Sequence, residues 1–245
     1  MRFFPLALAA ACSLSVTACG RPSTETFSFD CTNGAQRLEL VDVTNSRQSE
    51  VLVTSVLEHL KAVAEEAADC ESRFTVIAYG SSAAASEVLF DGVLSPAGAT
   101  EIARDRQISA TVRPVLAEVE SNLTASLVTL QSDVSDPVAA FTLIGDWLTS
   151  SDGTGVRKVD ILSDMIGTTG ALNMNSPSID PSVVITQHLP LVELPELSGV
   201  AVVMEGVGQV ASNPQPPTDF LEAVRALAQA LCEATGATCT TVTTR

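Results

Sequence analysis

Three short stretches of the chain concentrate oxygen donors. Asp42-Val43-Thr44-Asn45-Ser46, Ser132-Asp133-Val134-Ser135-Asp136-Pro137 and Ser163-Asp164-Met165 offer carboxylates and hydroxyls, and no histidine or cysteine. Hard oxygen donors drawn from several loops suit Mg²⁺, with Mn²⁺ or Ca²⁺ as alternatives, better than they suit zinc. Nucleophilic chemistry is poorly provided for. There is no Gly-x-Ser-x-Gly elbow, and neither histidine lies beside a candidate serine or cysteine in sequence. His59 falls within a helical stretch and His188 in a proline-rich one, so packing roles are expected for both. No Cys-x-x-Cys spacing occurs, which argues against a redox or zinc-ribbon role.

The elements that must position these stretches can be read from hydrophobic periodicity. Arg37 to Thr44 (RLELVDVT) is a buried strand ending on polar residues. Glu50 to Cys70 carries Val53, Val56, Leu57, Leu60, Val63, Ala64 and Ala67 at helical spacing. Arg73 to Tyr79 and Glu87 to Leu94 follow as strands. Thr100 to about Ser132 is helical, with Pro114 predicting a break or kink partway along. Asp136 to Thr149 opens with Ser135 or Asp136 as cap and Pro137 in the first turn. Val159 to Ser163 and Gly199 to Glu205 are strands, Asp219 to Thr235 an amphipathic helix, and Thr238 to Thr243 a final strand. Such alternation predicts an α/β fold: three layers, doubly wound, with a mainly parallel sheet and helices on both faces. In that architecture a site forms beyond the strand C-termini, where the winding reverses. The stretches after Val43 and Leu162 lie there, and the inter-helix stretch after Leu130 can reach the same edge.

With that placement, the sequence resembles the von Willebrand factor A (VWA) domain. Asp42-x-Thr44-x-Ser46, after a first strand, is similar to the family's Asp-x-Ser-x-Ser motif. Leu162-Ser163-Asp164 is similar to its later acidic loop, and Ser135-Asp136-Pro137 stands where a threonine ligand is usual. Gly199 to Gly208 (GVAVVMEGVG) resembles its fifth strand and glycine-rich turn. The resemblance covers most of residues 36–242. It implies a metal-ion-dependent adhesion site completed by an acidic group from a protein partner. Thr44, Ser46 and Ser135 would bind the ion through hydroxyls, and Asp42 and Asp164 mostly through water and hydrogen bonds. Two departures stand out: Thr44 replaces the commoner serine, and Ser135 replaces threonine. Ser132 and Asp136 remain alternatives to Ser135. Asp42 and Ser46 equally suit an Asx turn or a helix cap, and Ser135 and Asp136 a cap.

The N-terminus predicts export and anchoring. Met1-Arg2 precedes an apolar run to Val16, then Val16-Thr17-Ala18-Cys19. This is the layout of a secretory signal peptide, too short to span a bilayer as a permanent helix. The last four residues resemble the bacterial lipobox, which implies cleavage after residue 18 and a lipid on Cys19. The expected organisation is residues 1–18 as signal, 19–30 as lipidated tether and 31–245 as the VWA-like domain. The resulting localisation is the extracytoplasmic side of a bacterial envelope, with the membrane held through the lipid. Gly20, where an aspartate would signal retention, gives no indication of inner or outer membrane.

Composition is consistent with this placement. Removing residues 1–18 changes the formal charge from −16 to −17, a surface that repels nucleic acid and anionic lipid alike. Four cysteines remain besides Cys19: Cys31, Cys70, Cys232 and Cys239. In an oxidising compartment they predict two disulfides, with three pairings possible. Cys31 and Cys70 flank the first strand and helix at the edge away from the site, and Cys232 and Cys239 flank the last turn. The preferred pairing is therefore Cys31–Cys70 with Cys232–Cys239. Trp147 is expected to pack on the sheet, and Met165–Ser198, rich in proline, to run over the surface with one short element or to contact a partner. A non-enzymatic binding module is the favoured function. A lipid-anchored solute-binding protein is the alternative, although one tryptophan and one tyrosine furnish a pocket poorly. A hydrolase is the third reading.

Overall fold

The computed structural model describes residues 31, 34–45, 50–151, 155–174, 180–210 and 216–242. Cys19, the signal segment and the tether therefore lie outside the described residues, as does Ser46. A six-stranded sheet forms the middle layer: β1 (Gln36–Asp42), β2 (Arg73–Tyr79), β3 (Ser86–Val93), β4 (Arg157–Leu162), β5 (Val200–Glu205) and β6 (Thr238–Val242). Their spatial order is β3-β2-β1-β4-β5-β6. All neighbours are parallel except β2 and β3, which pair antiparallel with an irregularity between Val76 and Ile77. The short connection 80–85 cannot hold a crossover, so β3 has to return beside β2 in the opposite sense.

The helices are α1 (Glu50–Asp69), α2 (Glu101–Asp105), α3 (Ile108–Thr129), α4 (Val138–Ser150), α5 (Pro181–Val183) and α6 (Thr218–Glu233). Because strand side chains alternate, β1, β2 and β4 each feed two cores. Leu38, Leu40, Ile77, Tyr79, Val159, Ile161 and Val202 pack with Phe141, Ile144 and Trp147 of α4 and Val224, Leu227 and Leu231 of α6. On the other face, Val41, Phe74, Val76, Ala78 and Leu162 meet Leu60, Val63, Ala64 and Ala67 of α1 and Val112, Val119 and Leu123 of α3. Trp147 is buried against the sheet as expected, its indole N–H donating to Thr75 Oγ1 at 3.3 Å.

One sequence expectation is corrected and another refined. The helical stretch from Thr100 breaks at Arg106-Gln107, between α2 and α3, and Pro114 sits inside α3 without interrupting it. The carbonyl that Pro114 deprives of a partner belongs to Ala110, on the exposed side, where water can take over. The connection between β4 and β5 carries one short helical stretch and many exposed residues, but among its described residues several side chains pin it to the core. Consecutive α, π and 3₁₀ turns cover Pro181–Val183, Val184–His188 and Leu189–Leu191. Met165, Leu172, Met174, Val184, Leu189 and Leu197 bury their side chains in the α4/α6 core.

Both expected disulfides are formed, Cys31–Cys70 and Cys232–Cys239. They lie at the strand N-terminal edge, where β1 begins and where α6 turns into β6. Among the described residues no helix is long and apolar enough to cross a membrane.

Candidate functional site

The chain's winding reverses at β1, which sits between β2 and β4. Asp42 ends β1 and Ser163-Asp164 follow β4, so the switch point brings two of the predicted stretches side by side. Asp42 is held from both directions. Its Oδ1 accepts the backbone N–H of Thr44 at 2.9 Å and the Thr44 hydroxyl at 2.7 Å, and its Oδ2 accepts the Ser163 hydroxyl at 2.6 Å. A hydroxyl that donates to a carboxylate turns its proton away from the space beyond and presents its oxygen there, the polarity a cation needs.

The β4 side is equally fixed. Ser163 Oγ accepts from Met165 N at 2.9 Å, and Asp164 Oδ1 accepts from Ile166 N at 2.9 Å. Met165 adopts a left-handed backbone (φ 56°), uncommon for a residue with a side chain, and its side chain is sunk in the core. The turn after β5 closes over this loop. Ser163 N–H donates to Glu205 O at 3.1 Å and Gly208 N–H to Asp164 O at 2.8 Å, with Gly206 and Gly208 both at positive φ.

The inter-helix stretch arrives from the α3 end. Asn45 N–H donates to Ser132 O at 3.0 Å, and the Asn45 amide bonds the Asp133 carboxylate. Gly80 permits this approach, because a Cβ there would lie 2.6 Å from the carbonyl oxygen of Leu130. Ser135 is bound at both backbone groups by Thr168, whose hydroxyl accepts Ser135 N–H at 2.8 Å and whose N–H donates to Ser135 O at 2.8 Å.

Thr44, Ser132, Asp133, Ser135, Asp164, Ile166, Thr168 and Val210 line one cavity of about 80 Å³. Three predicted ligands, Thr44, Ser135 and Asp164, thus share a space, and Asp42 stands immediately behind Thr44. All four are between 0 and 5% exposed. Of the alternatives to Ser135, Asp136 is spent elsewhere. Its Oδ1 caps α4 by accepting Val138 N–H at 3.0 Å, and burial holds its carboxyl above the usual aspartate value. Ser132 also reaches the cavity, but it is only half-buried and its hydroxyl pairs with the backbone of Val134. The lining supplies only hydroxyl and carboxylate donors with two apolar side chains, a donor set that fits a hard divalent cation.

The main surprise is His59, which does not simply pack. Its Nε2 is 3.0 Å from Glu39 Oε2 and 3.6 Å from Asp160 Oδ2, and its Nδ1 is 3.3 Å from Glu205 Oε2. Arg37 lies beneath, its Nε 2.8 Å from Glu39 Oε1 and its Nη2 2.5 Å from Asp160 Oδ2, with Nη1 paired to Glu66. Burial works against a charged His59, but Asp160, Glu205 and Glu39 overcome it and push the imidazole up to about 12. Burial raises Glu39, aided by the charge of Asp160. Burial acts upward on Asp160 too, yet His59, Arg37 and Lys158 hold it below the usual aspartate value. The signal was in the sequence: charged residues in the middle of two central strands, on the side facing α1.

Comparison with solved structures agrees with this architecture. The pilus adhesin SpaC from Lactobacillus rhamnosus GG superposes with a TM-score of 0.51 at 12% identity over 86% of this chain. The fold is of the doubly wound, VWA/Rossmann-like α/β class. Two structures with VWA in their names score lower and add no weight. The ArnB paralog VWA2 from Sulfolobus acidocaldarius has a TM-score of 0.43 at 11% identity, covering 86% of this chain and 42% of that one. The SpRpn10 VWA domain has 0.41 at 8%, covering 86% and 88%. The chain spans 28% of the adhesin it resembles. No family model matches the sequence, and no curated protein matches it.

Proposed function

We propose that this VWA-like domain is a non-enzymatic interaction module of the bacterial cell envelope, binding a protein partner through a divalent cation. The observation that carries this reading is the convergence of Thr44, Ser135 and Asp164 on one small cavity at the switch point. Thr44 and Ser135 would hold the ion by their hydroxyl oxygens, with Ser46 as the third hydroxyl, and Asp42 and Asp164 would orient ligands and bound water. A bound divalent cation supplies a Lewis-acid contact for a carboxylate. Neutral hydroxyls leave its charge under-compensated, so an incoming Glu or Asp is favoured. Asp42 fixes the Thr44 hydroxyl, and Thr168 fixes Ser135, so the ligands stand ordered before an ion arrives. Mg²⁺ is the expected ion, with Mn²⁺ or Ca²⁺ as substitutes. The similar structure is a pilus adhesin, which is compatible with an adhesive role.

Calorimetric titration of the purified chain with Mg²⁺ and Mn²⁺ tests the site. Metal-dependent heat in the parent and its loss in Asp42→Ala are expected. No heat in the parent, or an unchanged mutant, refutes the metal reading. The envelope placement rests on a lipid at Cys19. Mass spectrometry of membrane fractions should find an acylated N-terminal Cys19, and a Cys19→Ser form that remains acylated and membrane-bound would contradict it.

A further inference from the structure

The face of the sheet beneath α1 is apolar except at one place. Where β1 and β4 run side by side, Arg37, Glu39 and Asp160 project toward the helix and are at most 2% exposed. His59 descends on them from α1. One ligand atom each from Glu39, His59 and Asp160 lies within 4.8 Å of the other two. Arg37 grips each carboxylate by one oxygen, Glu39 Oε1 and Asp160 Oδ2. This leaves Glu39 Oε2 toward His59 and Asp160 Oδ1 buried with no hydrogen-bond partner among the described residues. A desolvated carboxylate oxygen without a partner is costly, and native proteins rarely leave one so.

Charge counting points the same way. Glu39, Asp160, Glu205 and Glu66 surround two fixed cations, Arg37 and Lys158, the latter 3.9 Å from Glu66. With His59 neutral the group carries two uncompensated negative charges. A proton on His59 removes one of them; a divalent ion removes both.

We propose that Glu39, His59 and Asp160 form a second metal site, for a transition metal of the zinc or cobalt type. The ion takes the place of the proton on His59 Nε2, and a carboxylate oxygen from Glu39 and one from Asp160 complete a three-residue ligand set. Binding therefore releases the Nε2 proton to solvent. Glu205 supplies the outer partner: it accepts from Nδ1–H and so fixes the tautomer that leaves Nε2 open. Ligands around a four-coordinate zinc sit about 3.4 Å apart, given bonds of roughly 2.0–2.2 Å. The spacings from Nε2, 3.0 Å to Glu39 Oε2 and 3.6 Å to Asp160 Oδ2, bracket that value; Arg37 also holds that Asp160 oxygen, and the unpartnered Oδ1 is the other oxygen of the same carboxylate. An imidazole donor separates this site in metal preference from the all-oxygen cavity at the sheet edge. Its position joins β1, β4 and α1, so the ion is structural and ties the central strands to the helix above them.

The test is a Co²⁺ titration of the purified full chain in excess Mg²⁺, followed by visible absorption and by proton release, with Zn²⁺ as competitor. One equivalent of Co²⁺ should give a ligand-field band that Zn²⁺ abolishes. His59→Gln and Asp160→Asn should each remove the band, and Glu205→Gln should weaken binding by about 10–100-fold. Asp42→Ala, which disarms the sheet-edge cavity, should keep it, so the two sites fail separately. Nitrogen-15 NMR of the His59 ring gives a readout that needs no variant. Zn²⁺ should convert an imidazolium into a neutral ring protonated at Nδ1. Absence of the band in the parent, its persistence in both ligand variants, or a His59 imidazolium unchanged by excess Zn²⁺ overturns the proposal and leaves a proton-bridged ionic cluster.

Discussion

Two acidic constellations stand on the same pair of strands, and their partners make them opposites. At the strand ends, Asp42 is surrounded by hydroxyls and backbone N–H groups, while Asp164 receives Ile166 N–H and borders a cavity. Three residues before Asp42, and four before Asp164, Glu39 and Asp160 are clamped by Arg37 and His59 under α1. The first group keeps its negative field available to a visitor. The second spends most of its field on resident cations. Residue type alone does not distinguish a ligand-binding carboxylate from a structural one; neighbours on the same face of the sheet do.

The largest effect should come from breaking the second group. Arg37→Met strands Glu39 and Asp160 as buried charges without their main counter-ion, and should cost about 3–5 kcal/mol in denaturant unfolding. The same substitution should leave Mg²⁺ heat at the sheet edge intact in whatever fraction remains folded. An equal loss of both would show that the two constellations are one cooperative unit.

A smaller, pH-dependent effect is expected from His59. Its folded value lies far above its ordinary 6.5, so its contribution is complete below that value and declines as pH rises toward about 12. With chelator present, stability should fall between pH 7 and 9, and His59→Gln should lack that slope. Metal-dependent heat at the sheet edge should not share the His59-dependent part of the pH profile.

The smallest effects sharpen the ligand assignment. Ser135→Ala should weaken Mg²⁺ binding severalfold by removing a buried hydroxyl from the cavity, while Ser132→Ala should change it little. The reverse ranking, measured by the same calorimetry, would move the assignment to Ser132.

Most of the fold was legible because its elements obey simple periodicities. The apolar runs of β1, β2, β4 and β5 and the spacing along α1 and α6 each reported one dominant physical constraint. The break at Arg106-Gln107 was less accessible, since Pro114 is the stronger local signal and its exposure on α3 could not be read from spacing. The Met165–Ser198 connection was harder still. Prolines advertise a loop, but burial of Leu172, Met174, Val184 and Leu189 is a tertiary event. For the site, strand ends at the switch point marked the stretches that hold Asp42, Thr44 and Asp164, and the family resemblance singled out those residues. Ser135 was named with Ser132 and Asp136 as alternatives, because the contacts at Asn45 and Gly80 that draw the inter-helix stretch inward are tertiary. His59 escaped notice because its partners lie on β1, β4 and β5, far away in sequence and within runs dominated by apolar residues.

The disulfide between Cys31 and Cys70 bears on mechanics as well as stability. It joins the residue at which the described domain begins to the end of α1, three residues ahead of β2. A tensile load arriving from upstream of Cys31 therefore divides at once between the starts of two adjacent parallel strands. Directed along the strands, that load draws β1 and β2 together, so it shears the β1–β4 and β2–β3 ladders and does not peel β1 away one hydrogen bond at a time. A load applied at this corner therefore enters the sheet at the edge opposite Asp42 and Asp164.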